Sequence, residues 1–313
     1  MKKLIKFFAY FLLSTIIPLI IFLSTLLEKD IPVEQLKPKY TNASSHFMPL
    51  MGMQVHYRDE GNTNDSVPLI LLHGMSSSLN TWDSVVLFLL NGQKRLISID
   101  LPAFGLTGPN PENTYSFAYY NQFLDSFFNQ LHITRCMIAG NSLGGAIAWE
   151  YAAVHHTISK LILIDAAGYP IKNAKGSIGF KIASTPVINN LLLYITPKSL
   201  VRKSLEGIYF DKTRVTDAQV ERFHDVAISE GNRKAALTIF KKGFEKEPEK
   251  INMITAPTLI IWGDHDQVIP LENAYLFEKN IKGSKLEVLK NIGHVPMEEA
   301  PKKVADLIAS FIR

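Results

Sequence analysis

RCMIAGNSLGGA, residues 135–146, is a short apolar run that breaks into a glycine-flanked serine and then into a stretch of small residues. The spacing Gly140-Asn141-Ser142-Leu143-Gly144 fits G-x-S-x-G, the pattern of a sharp turn between a buried strand and a helix. Such a turn leaves no room for large side chains beside the serine, so glycines flank it. It lifts the hydroxyl above the end of the sheet, and the following helix points its positive end at any charge that develops there. A serine cap on a glycine-rich helix start would read alike in isolation. The strand before it, and Gly144, Gly145, Ala146 and Ala148 after it, favour a nucleophile turn.

Outward from this turn the chain alternates. Apolar runs at 67–72, 95–99, 135–139, 160–164, 257–262 and 285–289 read as buried strands closed by turn residues. A weaker alternating run at 53–58 reads as an antiparallel edge strand. Helical stretches lie at 80–90, 116–131, 143–155, 271–280 and 301–312. This order predicts an α/β fold, a mostly parallel sheet with helices on both faces. Sites in such sheets gather at the carboxyl ends of the strands.

A serine hydroxyl is a weak nucleophile and needs a base that a third group orients. With the serine on such a turn, the chain order is Ser, acid, His. Of nine histidines, His294 stands after the last strand, in NIGHVP (291–296). Between it and Ser142, the run GDHDQVIP (263–270) follows a strand and offers Asp266 as the acid. Asp264 and Asp165 are the alternatives. The loop His73-Gly74-Met75-Ser76 closes the strand at 67–72. The backbone N–H groups of Met75 and Leu143 are the expected oxyanion donors. His73 is expected to shape that loop and not to carry protons. His265 is expected at the surface. His46, His56, His132, His155, His156 and His224 are unremarkable and show no metal spacing. No metal or cofactor is expected.

Residues 171–250 break the alternation. They carry 15 Lys and Arg against 9 Asp and Glu and read as amphipathic helices, at 182–195 and 217–229 among others. They are expected to form a helical cap inserted after the sixth strand. Its charge would either favour anionic head groups or be a solvated surface. At the other end, residues 7–27 are uncharged and follow Lys2, Lys3 and Lys6. As a helix they would reach ~32 Å, enough to cross a bilayer. The run is long for a signal peptide and ends in LSTLL, a poor cleavage site. Residues 1–30 are therefore expected to be a single-pass anchor with a cytoplasmic N-terminus. The rest would lie on the extracytoplasmic side, or be secreted if the segment is cleaved. Residues 31–45 read as a linker, and 46–170 with 251–313 as the core.

Composition narrows the classes further. A chain of 313 residues, 47% apolar and 20% charged, excludes disorder. The lone Cys136 excludes an internal disulfide framework. A net charge of +4 is too slight to argue for nucleic acid.

HGMSSSLNTW (73–82), DLPAFGLTGP (100–109), GNSLGG (140–145), LILIDAAGYP (161–170), WGDHDQVIP (262–270) and GHVPMEEAP (293–301) together resemble the α/β-hydrolase superfamily across 46–313. More narrowly, the chain is similar to cold-adapted lipases and esterases of the Moraxella and Psychrobacter kind. The resemblance implies Ser142, Asp266 and His294 as a triad, Met75 and Leu143 as oxyanion donors, and a lid after 161–170. Members with an aspartate nucleophile are disfavoured by Ser142. Ala103 departs from the pattern, standing where relatives often carry glycine; the change is tolerable if its φ is negative. A membrane tether and an apolar lid suit a hydrophobic ester. A C–C bond hydrolase of ring-cleavage products would keep the triad but need basic groups aimed inward. A non-catalytic binding protein on the same fold is the remaining rival.

Overall fold

Among the described residues of a computed structural model eight strands pair into one sheet, in the order β1 (Ser45–Leu50), β2 (Met53–Gly61), β4 (Arg95–Ile99), β3 (Leu69–Leu72), β5 (Cys136–Asn141), β6 (Ile158–Ile164), β7 (Thr258–Gly263) and β8 (Lys285–Leu289). The structure describes all residues except 1–5, 8–9, 20, 22–25, 91–93, 172–180, 184, 186–187 and 246. Strands β3, β4, β5, β6, β7 and β8 run parallel. Every residue of β3, β5 and β7 is buried, because helices cover both faces. Side chains alternate between two cores. Ile70 and Leu72 join the helices Phe117–Gln130, Leu143–Val154 and Glu272–Asn280 through Phe123, Trp149 and Phe277. Leu69 and Leu71 join the helices Asp83–Leu89 and Pro301–Ile312 through Val85, Val304 and Ile308.

The expected edge strand at 53–58 is interior. It lengthens to β2 (Met53–Gly61), antiparallel to β4 and to a further strand, β1 (Ser45–Leu50). β1 forms the edge. Pro49 is tolerated there because only one side must supply hydrogen bonds. Met51 and Gly52, at φ 49° and 76°, make the two-residue hairpin turn.

Between β6 and β7 the described residues contain no strand. Helices Lys198–Glu206, Asp217–Ala227 and Asn232–Lys242 lie there, with short 3-10 turns. Thr216 and Gln219 form a reciprocal capping box that starts the second of these helices. Of the helix expected over 182–195, residues 182–183 are helical and Ile188–Leu193 is a 3-10 turn, while 184 and 186–187 lie outside the described residues.

The spanning helix expected at residues 7–27 is not found. Among the described residues no helix is long and apolar enough to cross a membrane, and part of the run lies outside them. Residues 10–19 are helical and exposed, with a π-helical turn at Leu12–Ile16, and the helix continues through Pro18, whose missing N–H leaves the Ser14 carbonyl without its i→i−4 partner.

Residues 31–45 are more than a linker. Val33–Tyr40 is helical and buries Leu36. Ile31 bridges to the cap, its N–H donating to Ile228 O at 2.8 Å and its carbonyl accepting from Glu230 N at 3.0 Å. Arg233 Nε donates to Asp30 Oδ1 at 2.9 Å. Lys39 and the Tyr40 hydroxyl both reach Asp225. This strap stitches the N-terminal segment to the cap.

Ala103 corrects the expectation for its position. It is fully buried in the loop after β4, with φ at 88° and its N–H on Gly108 O at 2.7 Å. A Cβ in that region is strained. Ala103→Gly should therefore leave the unfolding free energy within about 0.5 kcal/mol, where the same change at a buried alanine of ordinary φ costs over about 1 kcal/mol, because strain relief offsets the lost methyl and the added chain entropy. Urea unfolding with an unchanged m-value measures this; a midpoint lowered by that full ordinary cost would contradict the strain.

Candidate active site

The turn at Ser142 is built from backbone packing. A Cβ on Gly144 would meet Leu72 O at 2.4 Å, and one on Gly140 would meet Gly144 O at 2.2 Å. Only glycine lets the helix Leu143–Val154 seat this deeply on β3 and β5. Ser142 is held at φ 53°, ψ −113°, a conformation that serine rarely adopts. Its N–H donates to Ile164 O at 3.1 Å, and its carbonyl accepts from Ala146 and Ala167 at 3.0 Å each. Leu143 is the first residue of the helix, so its amide is among those with no intrahelical acceptor.

Asp266 and His294 are brought together from loops after β7 and β8. His294 Nδ1 lies 2.7 Å from Asp266 Oδ2, and both side chains are buried. The other oxygen of Asp266 accepts the Val268 and Ile269 amides at 2.7 and 3.0 Å. The two loops touch because Gly263 carries no side chain; a Cβ there would meet Gly293 O at 2.1 Å. Asn141 then links this pair to the nucleophile turn, its Nδ2 donating to His294 O and to Ile164 O, each at 3.1 Å. The Ser142 hydroxyl does not hydrogen-bond the imidazole; such contacts commonly tighten only with substrate bound.

The alternative acids are placed differently. Asp264 faces away, accepting Asn291 N at 2.7 Å and pairing with His265. Asp165 stays close: one oxygen or nitrogen from each of Asp165, Asp266 and His294 falls within 4.8 Å of the others. The residue types suit a cation, but the spacing of Asp266 and His294 does not. At 2.7 Å they are a hydrogen bond apart, too close to bracket an ion at ~2.0–2.2 Å from each.

Several supports were not legible in the sequence. Glu299, buried, accepts the Gly293 amide at 2.7 Å and the Phe210 amide at 2.9 Å, fixing the His294 loop. Burial raises its carboxyl above the ordinary range. Glu298 gathers Thr81, Tyr209, Gln219 and Arg222, and so fastens the cap to the core. Asp100 takes the Leu79 and Leu106 amides and the His56 ring, at 2.7, 2.8 and 2.7 Å. Burial alone would push its carboxyl up; the His56 ring hydrogen-bonded to it and the Leu106 amide hold it below the usual range. His56 is therefore a pillar of the loops below the site. His224 is likewise engaged, between Glu28 and Asp225. Any Asp or His in a polar sequence could do the same, so no local signal distinguished these.

His73 shapes its loop as expected. Its Nε2 accepts the Leu101 amide at 3.0 Å, which leaves Nδ1 to donate to Gly74 O at 2.7 Å. Two cavities flank Met75. One, ≈ 260 Å³, is lined by Ser142, Leu143, Trp149, Ile171, Phe244 and Ile269 among others. The second, ≈ 190 Å³, lies under the cap and includes Leu192, Leu205, Phe223 and Leu237. Met75 and Phe240 line both. Among the described lining residues Arg233 is the one charged side chain, and it is paired with Asp30.

Comparison with known proteins is consistent with this geometry. Residues 67–301 match the family model described as alpha/beta hydrolase fold. The monoacylglycerol lipase abhd6-A of Xenopus laevis is 29% identical over 285 residues, covering 84% of this chain and 83% of that protein. The 2-hydroxy-6-oxo-6-(2'-aminophenyl)hexa-2,4-dienoic acid hydrolase of Metapseudomonas resinovorans is 26% identical, covering 89% and 94%. A solved membrane phospholipase A, described as a bacterial virulence factor, superposes with a TM-score of 0.73 at 23% identity, covering 100% and 98%. That last likeness speaks to the fold alone. These comparisons bear on the superfamily and not on the narrower Moraxella-type resemblance.

Burial lowers the His73 pKa, and its geometry requires the neutral ring. The unfolded chain takes up this proton near pH 6.5, which the folded chain resists. Stability should therefore fall as pH drops below about 6.5. His73→Gln, which keeps an acceptor for Leu101, should flatten that slope in urea titrations between pH 5 and 8. An unaltered slope would show that His73 is not its source.

Proposed function

The chain belongs to the alpha/beta-hydrolase family, and from that premise we propose that it is a serine hydrolase of hydrophobic carboxylic esters, working through an acyl-enzyme. The observation that carries this reading is the buried Asp266–His294 pair, tied through Asn141 to a serine held in a strained turn over an apolar cavity.

Ser142 Oγ attacks the ester carbonyl while His294 Nε2 accepts its proton. Asp266 holds Nδ1–H, fixing the tautomer and stabilising the imidazolium. The amides of Met75 and Leu143 receive the oxyanion. His294 returns the proton to the departing alcohol, and water repeats the cycle on the acyl group. No cofactor enters these steps. The cavities on either side of Met75 offer apolar walls to both halves of the ester.

The hydrolase relative that acts on a dienoic acid favours a second reading, C–C bond cleavage with the same residues. Its substrate carries a carboxylate, which would need an unpaired cation within reach. Arg233, the one charged lining group described, is already held by Asp30. That supports the ester.

The same reading takes residues 7–27 as a membrane anchor behind Lys2, Lys3 and Lys6, with the catalytic part on the extracytoplasmic side. Removal of the segment would instead release the enzyme.

Ser142→Ala should lower kcat/KM on p-nitrophenyl butyrate by at least about 10⁴-fold and abolish fluorophosphonate labelling. Retained activity would refute the role of Ser142. A dienoate cleaved faster than the butyrate ester would favour the second reading. A series from acetate to palmitate separates esterase from lipase. For the anchor, the protein should stay with membranes through alkaline carbonate washing and leave them only in detergent; release by carbonate would refute it.

A further inference from the structure

Asp165 lies at the carboxyl end of β6, fully buried, with φ at 44°. Its Oδ1 accepts the Gly263 amide at 3.0 Å. Its Oδ2 is buried and has no hydrogen-bond partner among the described residues. A bare carboxylate oxygen in that position would be costly. Yet it sits beside Asp266, itself an acceptor. Two acceptors make no hydrogen bond until one of them carries a proton.

The donors around the two groups decide where that proton rests. Asp266 takes three: the Val268 amide, the Ile269 amide and His294 Nδ1. Asp165 takes one. Donors favour the ionised form, and two adjacent buried carboxyls cannot both ionise cheaply. The charge therefore belongs on Asp266 and the proton on Asp165. Burial and the neighbouring Asp266 push the Asp165 carboxyl well above its ordinary range, and Glu299 adds to this.

Building on the serine-hydrolase reading, we infer that Asp165 is a reserve acid for the same relay: a protonated positioning residue that donates Oδ2–H to Asp266, and that can take over the His294 Nδ1 proton when Asp266 is lost. In the intact enzyme it does not touch the reacting atoms. Its hydrogen bond holds the Asp266 carboxylate in place. When Asp266 is neutralised, the charge that disfavoured ionisation at Asp165 disappears. Asp165 then releases its proton to solvent, and its carboxylate accepts Nδ1–H of His294. An oxygen of Asp165 and a ring nitrogen of His294 lie within 4.8 Å of each other, and the rescue requires that gap to close to a hydrogen bond of ~2.8 Å.

The test is a double-mutant cycle on kcat/KM for p-nitrophenyl butyrate and on the rate of fluorophosphonate labelling. Asp266→Asn keeps an oxygen for the Val268 and Ile269 amides, and Asp165→Asn keeps one for Gly263. Losing the acid from a Ser-His-Asp relay ordinarily costs about 10⁴-fold. An asparagine at 266 would also aim its NH2 at His294 Nδ1 and favour the wrong tautomer, so the rescue is read against that cost: Asp266→Asn should lose less than the usual ~10⁴-fold, by about tenfold or more, and Asp165→Asn less than about tenfold. The pair together should fall the full ~10⁴-fold. A merely structural role for Asp165 would cost the same in both backgrounds. The inference is overturned if Asp266→Asn alone loses about 10⁴-fold, or if adding Asp165→Asn does not worsen it. Should Asp266→Asn fail to fold, infrared difference spectroscopy of the wild type against Asp165→Asn at pH 7 decides. A protonated-carboxyl band lost with Asp165 supports the inference, and its absence refutes it. A wild type that neither labels at Ser142 nor hydrolyses esters would count against the serine-hydrolase reading instead.

Discussion

The helix Leu143–Val154 approaches the ends of β3 and β5 so closely that no side chain fits between them, and that approach fixes Ser142. Backbone held at a positive φ persists only when its surroundings over-determine it. Here the peptide groups of Ser142 are engaged on both sides, by Ile164, Ala146 and Ala167. Next to it Asn141 reaches across to the carbonyl of His294. The nucleophile turn and the histidine loop are thus parts of one hydrogen-bonded unit at the rim of the sheet. The local strain at the serine is offset by contacts from β6 and from the loop after β8.

The elements that position this unit were legible because they follow simple periodicities. β4 and β8 and the C-terminal helix Pro301–Ile312 have the bounds that their apolar patterns indicate. The strand-turn-helix around Ser142 and the nearness of Asp266 to His294 followed from spacing and chain order. β1 was not legible, since its sequence SHFMPL carries a proline and one clearly buried side chain. The φ of Ala103 could not be read from residue type at all; it depends on the loop closing through Gly108. The ionic supports at Asp100, Glu298 and Glu299 were invisible for a related reason. Their partners lie far away in sequence, and polar residues carry no periodic signature.

Burial is handled unevenly among the acidic groups near the site. Asp100 is saturated with donors, Asp266 accepts three, and Asp165 keeps an oxygen with no donor among the described residues. A protein that buries this many carboxyls must neutralise each by hydrogen bonding, by a cation or by a proton. Glu298 is met by Arg222, Asp100 by His56, and Glu299 by backbone amides. The cap is drawn into this scheme, since Tyr209, Gln219 and Arg222 all belong to it. The cap is therefore attached to the histidine loop by the same residues that neutralise buried charge.

The strap formed by residues 28–40 bears on how the catalytic part can be cut free of the apolar leader. A truncation beginning at Ser45, where the sheet starts, would remove Glu28, Asp30, Lys39 and Tyr40 together. Arg233, only 7% exposed, would lose its carboxylate partner. His224 would lose Glu28, and Asp225 would lose Lys39 and the Tyr40 hydroxyl. Stranding an ion of that kind costs on the order of a few kcal/mol, a large fraction of a typical domain's stability. A shortened version of this chain should begin upstream of Glu28, because the N-terminal boundary of the folded body is set by the cap's salt bridges and not by the first strand.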